Sequence, residues 1–230
     1  MNLSLQSVKS WPVKERPRER LMRQGAEALS DAELLAIVLR SGRKGQDVIM
    51  LSRAILEKFG SLRGLGATDL SGLLKVKGLG PAKITALLAI GEIARRQLRE
   101  GMIGKSLVRD PESVIVYLKR ALQDLRVEVF KVLFLNKANA IIGECDASRG
   151  TVDEAYVHPR EVLKKALEYH ATSVVLVHNH PSGRTEPSAE DVNITMKIQT
   201  ACDSVSIKVL DHIIIGGDHY YSFREHGRLM

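Results

Sequence analysis

Between Val174 and Asp191 the chain reads VVLVHNHPSGRTEPSAED: an apolar run ends in two histidines flanking an asparagine, and a serine then stands three residues before an aspartate. In a strand, side chains at i and i+2 share a face, so His178 and His180 present two imidazoles side by side. Pro181-Ser182-Gly183 breaks the strand, and a helix is expected from Pro187-Ser188 that carries Asp191 in its first turn. Two imidazoles and one carboxylate supply three ligands of a tetrahedral zinc ion and leave the fourth position to water, which is the pattern of a catalytic site. One Zn2+ per chain is therefore the expected cofactor; zinc lowers the pKa of a bound water to about 7. The plain alternative is a Ser188–Asp191 capping box beside two hydrogen-bonded loop histidines. The His pair, the loop and the Ser/Asp helix start occur together within 14 residues, and that conjunction favours the metal site.

A hydrolytic centre also needs a base. Glu186 and Glu190 lie in the loop or helix beside the ligands, so the base is sought on a separate element. Glu128 opens the otherwise apolar VEVFKVLFL and is the first choice; Glu144 and Glu154 come next, and an exposed strand end is the competing account of Glu128. Asp211-His212 in VLDHIII could orient a ligand but reads more simply as a structural strand-end pair. The adjacent letters HNH are no evidence for an HNH nuclease, whose named residues are dispersed. A zinc deaminase is disfavoured because His-x-Glu and Pro-Cys-x-x-Cys are both absent.

The elements around these residues alternate. ESVIVYLKRALQDL reads as a helix, VEVFKVLFLN and AIIGEC as strands about a Lys-Ala-Asn turn, PREVLKKALEYH as an amphipathic helix and SVVLVH as a buried strand. SAEDVNITMKIQTACDSV follows as a helix, and IKVLDHIIIG and HYYSF complete a mixed sheet. The first part of the chain has a different grammar of short helices: Ser30-Asp31-Ala32-Glu33 is a capping box, Asp47 caps VIMLSRAILEKF, and Gly60 stops it. The fold class is thus a small all-α N-terminal domain, residues 1–105, followed by an α/β domain, residues 106–230, with the boundary in the Gly-containing stretch Gly101–Ser106.

Charge follows the same division. Of the net +7, residues 1–105 carry 19 Lys+Arg against 10 Asp+Glu, and residues 106–230 carry 15 against 17. A basic module beside a near-neutral one points to a polyanionic partner for the first. In LLKVKGLGPAKITALLAI, Gly78-Leu79-Gly80 permits a tight turn with exposed amides, Pro81 suits the first turn of the next helix, and Lys75, Lys77 and Lys83 surround it. This segment resembles the helix-hairpin-helix motif of DNA repair and recombination proteins. The resemblance implies that Lys77, Gly78, Gly80 and Lys83 grip the DNA backbone without regard to sequence. An ordinary Gly-containing turn is the alternative.

His178-x-His180-Pro181 followed by Ser188-x-x-Asp191 resembles the JAMM motif of MPN-domain metallopeptidases. HNHPSG with TVDEAYVHPRE before it and LDHIIIG after it resembles the bacterial RadC family in particular, over almost the whole chain. The resemblance implies zinc on His178, His180 and Asp191, a general base at Glu128, Ser188 as the donor to the tetrahedral intermediate, and an unknown peptide or isopeptide substrate. Asn179 departs from eukaryotic deubiquitinating members, which carry Ser or Thr there. A non-enzymatic DNA-binding protein with a structural zinc and a metal-dependent nuclease are the alternatives. No apolar run approaches the roughly 18 residues of a membrane span. Cys145 and Cys202 form no Cys-x-x-Cys pair, so a cytoplasmic, reducing location is expected.

Overall fold

The computed structural model describes residues 8–150 and 157–229 and divides into two compact units, Met1–Ala94 and Arg95–Met230. The division falls within a helix rather than at the expected 105/106 boundary. That helix continues through Arg95-Arg96-Gln97, a stretch of good helix formers, and the glycines that end it come only at 101 and 104.

The first unit contains α1 (Pro17–Gln24), α2 (Asp31–Leu39), α3 (Val48–Phe59), α4 (Leu62–Gly66), α5 (Leu70–Leu74) and most of α6 (Pro81–Glu100). Its starts are set by caps. Ser30 and Glu33 form the reciprocal box of α2, while Asp47, Ser61 and Asp69 accept from the third backbone amide of α3, α4 and α5. Leu35, Leu39, Leu51, Ile55, Leu65, Leu73, Leu79 and Ile84 close the core. Gly78 turns the chain between α5 and α6 at φ +101°, and a Cβ there would lie 3.0 Å from the Arg43 side chain. Lys83 does not face outward: its ammonium donates to the carbonyls of Gly42, at 2.9 Å, and Gly78, at 3.0 Å. It clasps the Arg40–Gly45 turn to the α5–α6 turn, and burial pulls its pKa down. Lys75, Lys77 and Gly80 are exposed.

In the second unit, α7 (Pro111–Leu122) precedes β1 (Glu128–Leu135) and β2 (Ile141–Gly150); α8 (Pro159–Glu168), β3 (Ser173–Asn179), α9 (Ala189–Asp203), β4 (Lys208–Gly216) and β5 (His219–Ser222) follow. The sheet order is β2-β1-β3-β4-β5. Only β3 and β4 are parallel, and α9 supplies the crossover that a parallel pair requires. Phe130, Val132, Phe134, Val174, Leu176 and Ile214 pack against Val162, Ala166, Ile198 and Cys202 of α8 and α9. Residues of opposite parity, such as Val129, Leu133, Val175, Val177 and Ile213, pack against Val114, Leu118 and Leu122 of α7. Strand β2 runs on to Gly150, past the Cys145 at which its sequence pattern stops. Val129 and Phe130 pair with Arg149 and Ser148, so backbone pairing carries a polar edge segment that periodicity does not mark. Among the described residues no helix is long and apolar enough to cross a membrane.

Replacing Lys83 with Ala leaves two carbonyls of the glycine turns without their donor. Urea unfolding of the variant is expected to show a loss of about 1–3 kcal/mol. Unchanged stability would remove the clasp.

Candidate metal centre

The antiparallel register of β1 and β3 sets the site. The ladder ends with Phe130 opposite His178, and Glu128 stands two residues before Phe130, on the same face of β1. The imidazole of His178 stacks on the Phe130 ring at 5.8 Å and 7°. That face is covered by α9, whose first turn delivers Asp191. Ligand-capable atoms of His178, His180 and Asp191 all lie within 4.8 Å of one another. His178 Nε2 is 3.0 Å from Asp191 Oδ1 and 3.0 Å from His180 Nε2, and His180 Nε2 is 3.4 Å from Asp191 Oδ2.

Each of these groups is aimed by a second contact. His180 Nδ1 meets the Arg184 carbonyl at 2.9 Å; a carbonyl only accepts, so Nδ1 carries a proton and Nε2 is the ring nitrogen that faces Asp191. Gly216 makes that contact possible, because a Cβ there would come within 2.6 Å of the Gly183 carbonyl oxygen and 2.7 Å of that of Arg184. Asp191 Oδ2 accepts from the Ser188 amide at 2.8 Å and from the Ser188 hydroxyl at 2.7 Å, while Ser188 Oγ accepts from the Asp191 amide. The capping box read from the sequence is therefore present, and it aims the carboxylate at the histidines. Burial on its own would raise the Asp191 pKa, but hydrogen bonds from His178 and His180 outweigh it and hold the carboxyl well below the usual range. The contact with Asp191 raises the His180 pKa against the opposing effect of burial, and Glu128 adds a smaller electrostatic contribution.

A carboxylate and two imidazole nitrogens thus converge. This donor set fits a divalent metal: two nitrogens and an oxygen from short, buried side chains suit zinc and its first-row neighbours. Glu128 is half-buried at the rim. Glu144 lies across from Leu133, on the α7 face, where it accepts from Tyr117 Oη at 2.5 Å and Lys131 Nζ at 3.0 Å; it is turned away from the histidines. Glu154 falls outside the described residues, as does Thr151–Tyr156 of the TVDEAYVHPRE stretch.

Residues 108–228 match the RadC-like JAB domain family, and residues 8–85 match the UPF0758 N-terminal family. A UPF0758 protein of Nitrosococcus oceani is 47% identical over 223 residues, which cover 97% of this chain and 100% of the relative. The chain belongs to the RadC family. UPF0758 proteins of Cupriavidus pinatubonensis and of Marinomonas sp. are 44% and 45% identical, with 97% and 96% of this chain and 98% and 99% of the relatives covered. The second unit is thus a RadC-like JAB domain, a hydrolase-like fold, and its His178-His180-Asp191 cluster is able to hold a metal ion.

Two positions in this RadC-family chain have roles that the sequence did not disclose. His212 is no strand-end ornament. Fully buried in β4, it approaches His178 Nδ1 with its Nε2 at 2.8 Å and Thr195 Oγ1 with its Nδ1 at 2.5 Å, and burial drives its pKa well below the ordinary value. Its neighbour Asp211 turns to the other face, where it accepts from Ser222 Oγ at 2.6 Å and the Arg224 amide at 3.0 Å. Alternation along β4 separates the two, and only knowledge of which face α9 covers could have selected His212. Asn179 is the second. Between the two histidines it reaches across to β1, where it accepts from the Val129 amide at 2.9 Å and donates to the Val127 carbonyl at 3.1 Å. Those two groups flank Glu128, so the Asn179 amide fastens the start of β1 to the end of β3.

Asn179→Ala leaves a buried amide and carbonyl unpaired. We expect a stability loss of about 1–3 kcal/mol in chemical denaturation, with metal uptake retained because the side chain bonds to the β1 backbone and not to the three ligand side chains. Loss of metal uptake at full stability would contradict this division of labour.

Proposed function

We propose that the chain is a zinc-dependent hydrolase that cleaves a peptide or isopeptide bond. The observation that carries this reading is the convergence of His178 Nε2, His180 Nε2 and the Asp191 carboxylate within 4.8 Å, with Glu128 opening the strand whose Phe130 pairs with His178. Zinc, when held there, supplies Lewis acidity to a carbonyl oxygen and acidifies water. Three ligands without a fourth His, Cys, Asp or Glu in the group, among the described residues, favour a catalytic over a closed structural site. Glu128 takes the proton of the attacking water and returns it to the leaving nitrogen. Ser188 aims Asp191 in the resting arrangement and turns its hydroxyl to the oxyanion as negative charge develops.

Purified protein should carry about one zinc, and His178→Ala, His180→Ala and Asp191→Ala should each lower that occupancy. Glu128→Gln should keep metal and fold while zinc-dependent cleavage falls about 10²- to 10⁴-fold. Ser188→Ala should lose about 10²- to 10³-fold, with about 1 kcal/mol of capping stability measured separately. A peptide, isopeptide and DNA substrate panel decides the class. Cleavage of DNA alone would replace the reading with a nuclease; zinc without any cleavage would leave a structural metal.

For the first unit the charge balance supports a DNA-backbone partner. Lys75, Lys77 and Gly80 are exposed at the α5–α6 turn, and Lys44 is exposed on the turn that Lys83 clasps to it. Contacts to phosphate predict weak binding to duplexes of any sequence, with affinity falling steeply as salt rises. Lys44→Ala with Lys77→Ala should weaken binding uniformly and flatten the salt dependence by about one to two phosphate contacts. Equal binding by the double variant would remove this surface.

A further inference from the structure

We propose that Thr195 and His212 form a hydrogen-bond relay that sets the tautomer of His178 and thereby the metal affinity of the centre. The inference rests on the metal reading above. It starts from an unbroken line of contacts: Thr195 Oγ1 to the Asp191 carbonyl at 2.5 Å, Thr195 Oγ1 to His212 Nδ1 at 2.5 Å, and His212 Nε2 to His178 Nδ1 at 2.8 Å. A threonine hydroxyl bonded to the carbonyl four residues back is common in helices and needs no function. Its second contact, to a ring nitrogen of a fully buried histidine, is what makes a relay.

Protons in this line can be arranged in two self-consistent ways. In one, Thr195 donates to the Asp191 carbonyl, His212 Nδ1–H donates to Thr195, and His178 Nδ1–H donates to His212 Nε2. His178 Nε2 then bears a lone pair, 3.0 Å from both Asp191 Oδ1 and His180 Nε2. In the other, Thr195 donates to His212 Nδ1, His212 Nε2–H donates to His178 Nδ1, and His178 Nε2–H donates to Asp191 Oδ1. Both arrangements hold the same number of protons and every ring stays neutral. The second satisfies the metal-free cluster, because it places an N–H between His178 and the carboxylate. The first presents His178 as a ligand. Threonine is the hinge: its hydroxyl has an acceptor in either direction, the Asp191 carbonyl or His212 Nδ1. The rings are held for this exchange by Phe130 against His178 at 5.8 Å and Phe223 against His212 at 4.8 Å.

Three forms are compared for Zn2+ affinity, by competition with a chromophoric chelator: wild type, Thr195→Ser, which keeps the hydroxyl, and Thr195→Val, which keeps the shape. Imidazole nitrogen NMR of the wild type, with and without Zn2+, reads the tautomers directly. The expected result is wild-type affinity in Thr195→Ser and a loss of about 10- to 100-fold in Thr195→Val. The spectra should show His178 and His212 both changing from Nε2–H to Nδ1–H when Zn2+ is added. Equal affinity in all three forms, or a His212 tautomer that does not respond to Zn2+, overturns the relay while leaving the metal centre intact. If the wild type itself takes up no Zn2+, the metal reading fails and the relay fails with it. Should Thr195→Val not fold, the wild-type spectra decide alone.

Discussion

The pairing of β1 with β3 is the constraint on which the centre depends. Side chains alternate with a period of two, so a slip of one residue would exchange the faces of every partner. The ladder observed runs from Leu135 opposite Ser173 to Phe130 opposite His178, with Phe130 on the face of α8 and α9 and Val129 on the face of α7. The register is fixed from both faces at once. Phe130, Val132, Val174 and Leu176 are buried under α8 and α9, and the Asn179 amide occupies ladder positions on either side of Glu128. A residue between the two histidines thus acts on the alignment of the strand that carries Glu128.

The second requirement is electrostatic. Gathering a carboxylate and ring lone pairs out of water is costly unless each has a partner. The structure meets this by making each orienting contact local: Ser188 caps α9 and braces Asp191, the Arg184 carbonyl takes the His180 proton, and His212 takes or gives the His178 proton. Asp191 also sits in the first turn of α9, where the helix dipole favours negative charge. Capping and ligation, which the sequence presented as competing explanations of Ser188 and Asp191, are served by the same atoms.

What could be seen in the sequence follows from how local its cause is. The caps at Ser30, Asp47 and Ser188, the stop at Gly60, the His pair and the alternation of strands with helices all depend on neighbours in the chain, and the elements stand where those signals put them. His212 and Lys83 depend on distant partners. His212 is 34 residues from His178, and Lys83 is 41 from Gly42; type and spacing showed one as a structural residue and the other as an outward cation. The polar end of β2 and the helix that carries the unit division, ending at Glu100 short of the expected boundary, were hidden for a related reason. Backbone pairing and helix propagation do not need an apolar pattern to continue.

The location of the centre has a topological cause. Strands β3 and β4 are the one parallel pair in the sheet, so their carboxyl ends, Asn179 and Gly216, lie at the same edge, and the chain leaving β3 must pass that edge to begin α9. Sites in α/β sheets collect at such carboxyl ends because strand-end side chains, a loop and a helix N-terminus meet there. Here each contributes: β3 supplies His178, the 180–188 loop supplies His180 and the Arg184 carbonyl that orients it, and α9 supplies Asp191. Gly216 completes the arrangement from β4, since any side chain at that strand end would displace the loop that orients His180. Residues as far apart as Glu128 and Gly216 therefore answer to one geometric demand, the convergence of acceptors at the end of a parallel strand pair.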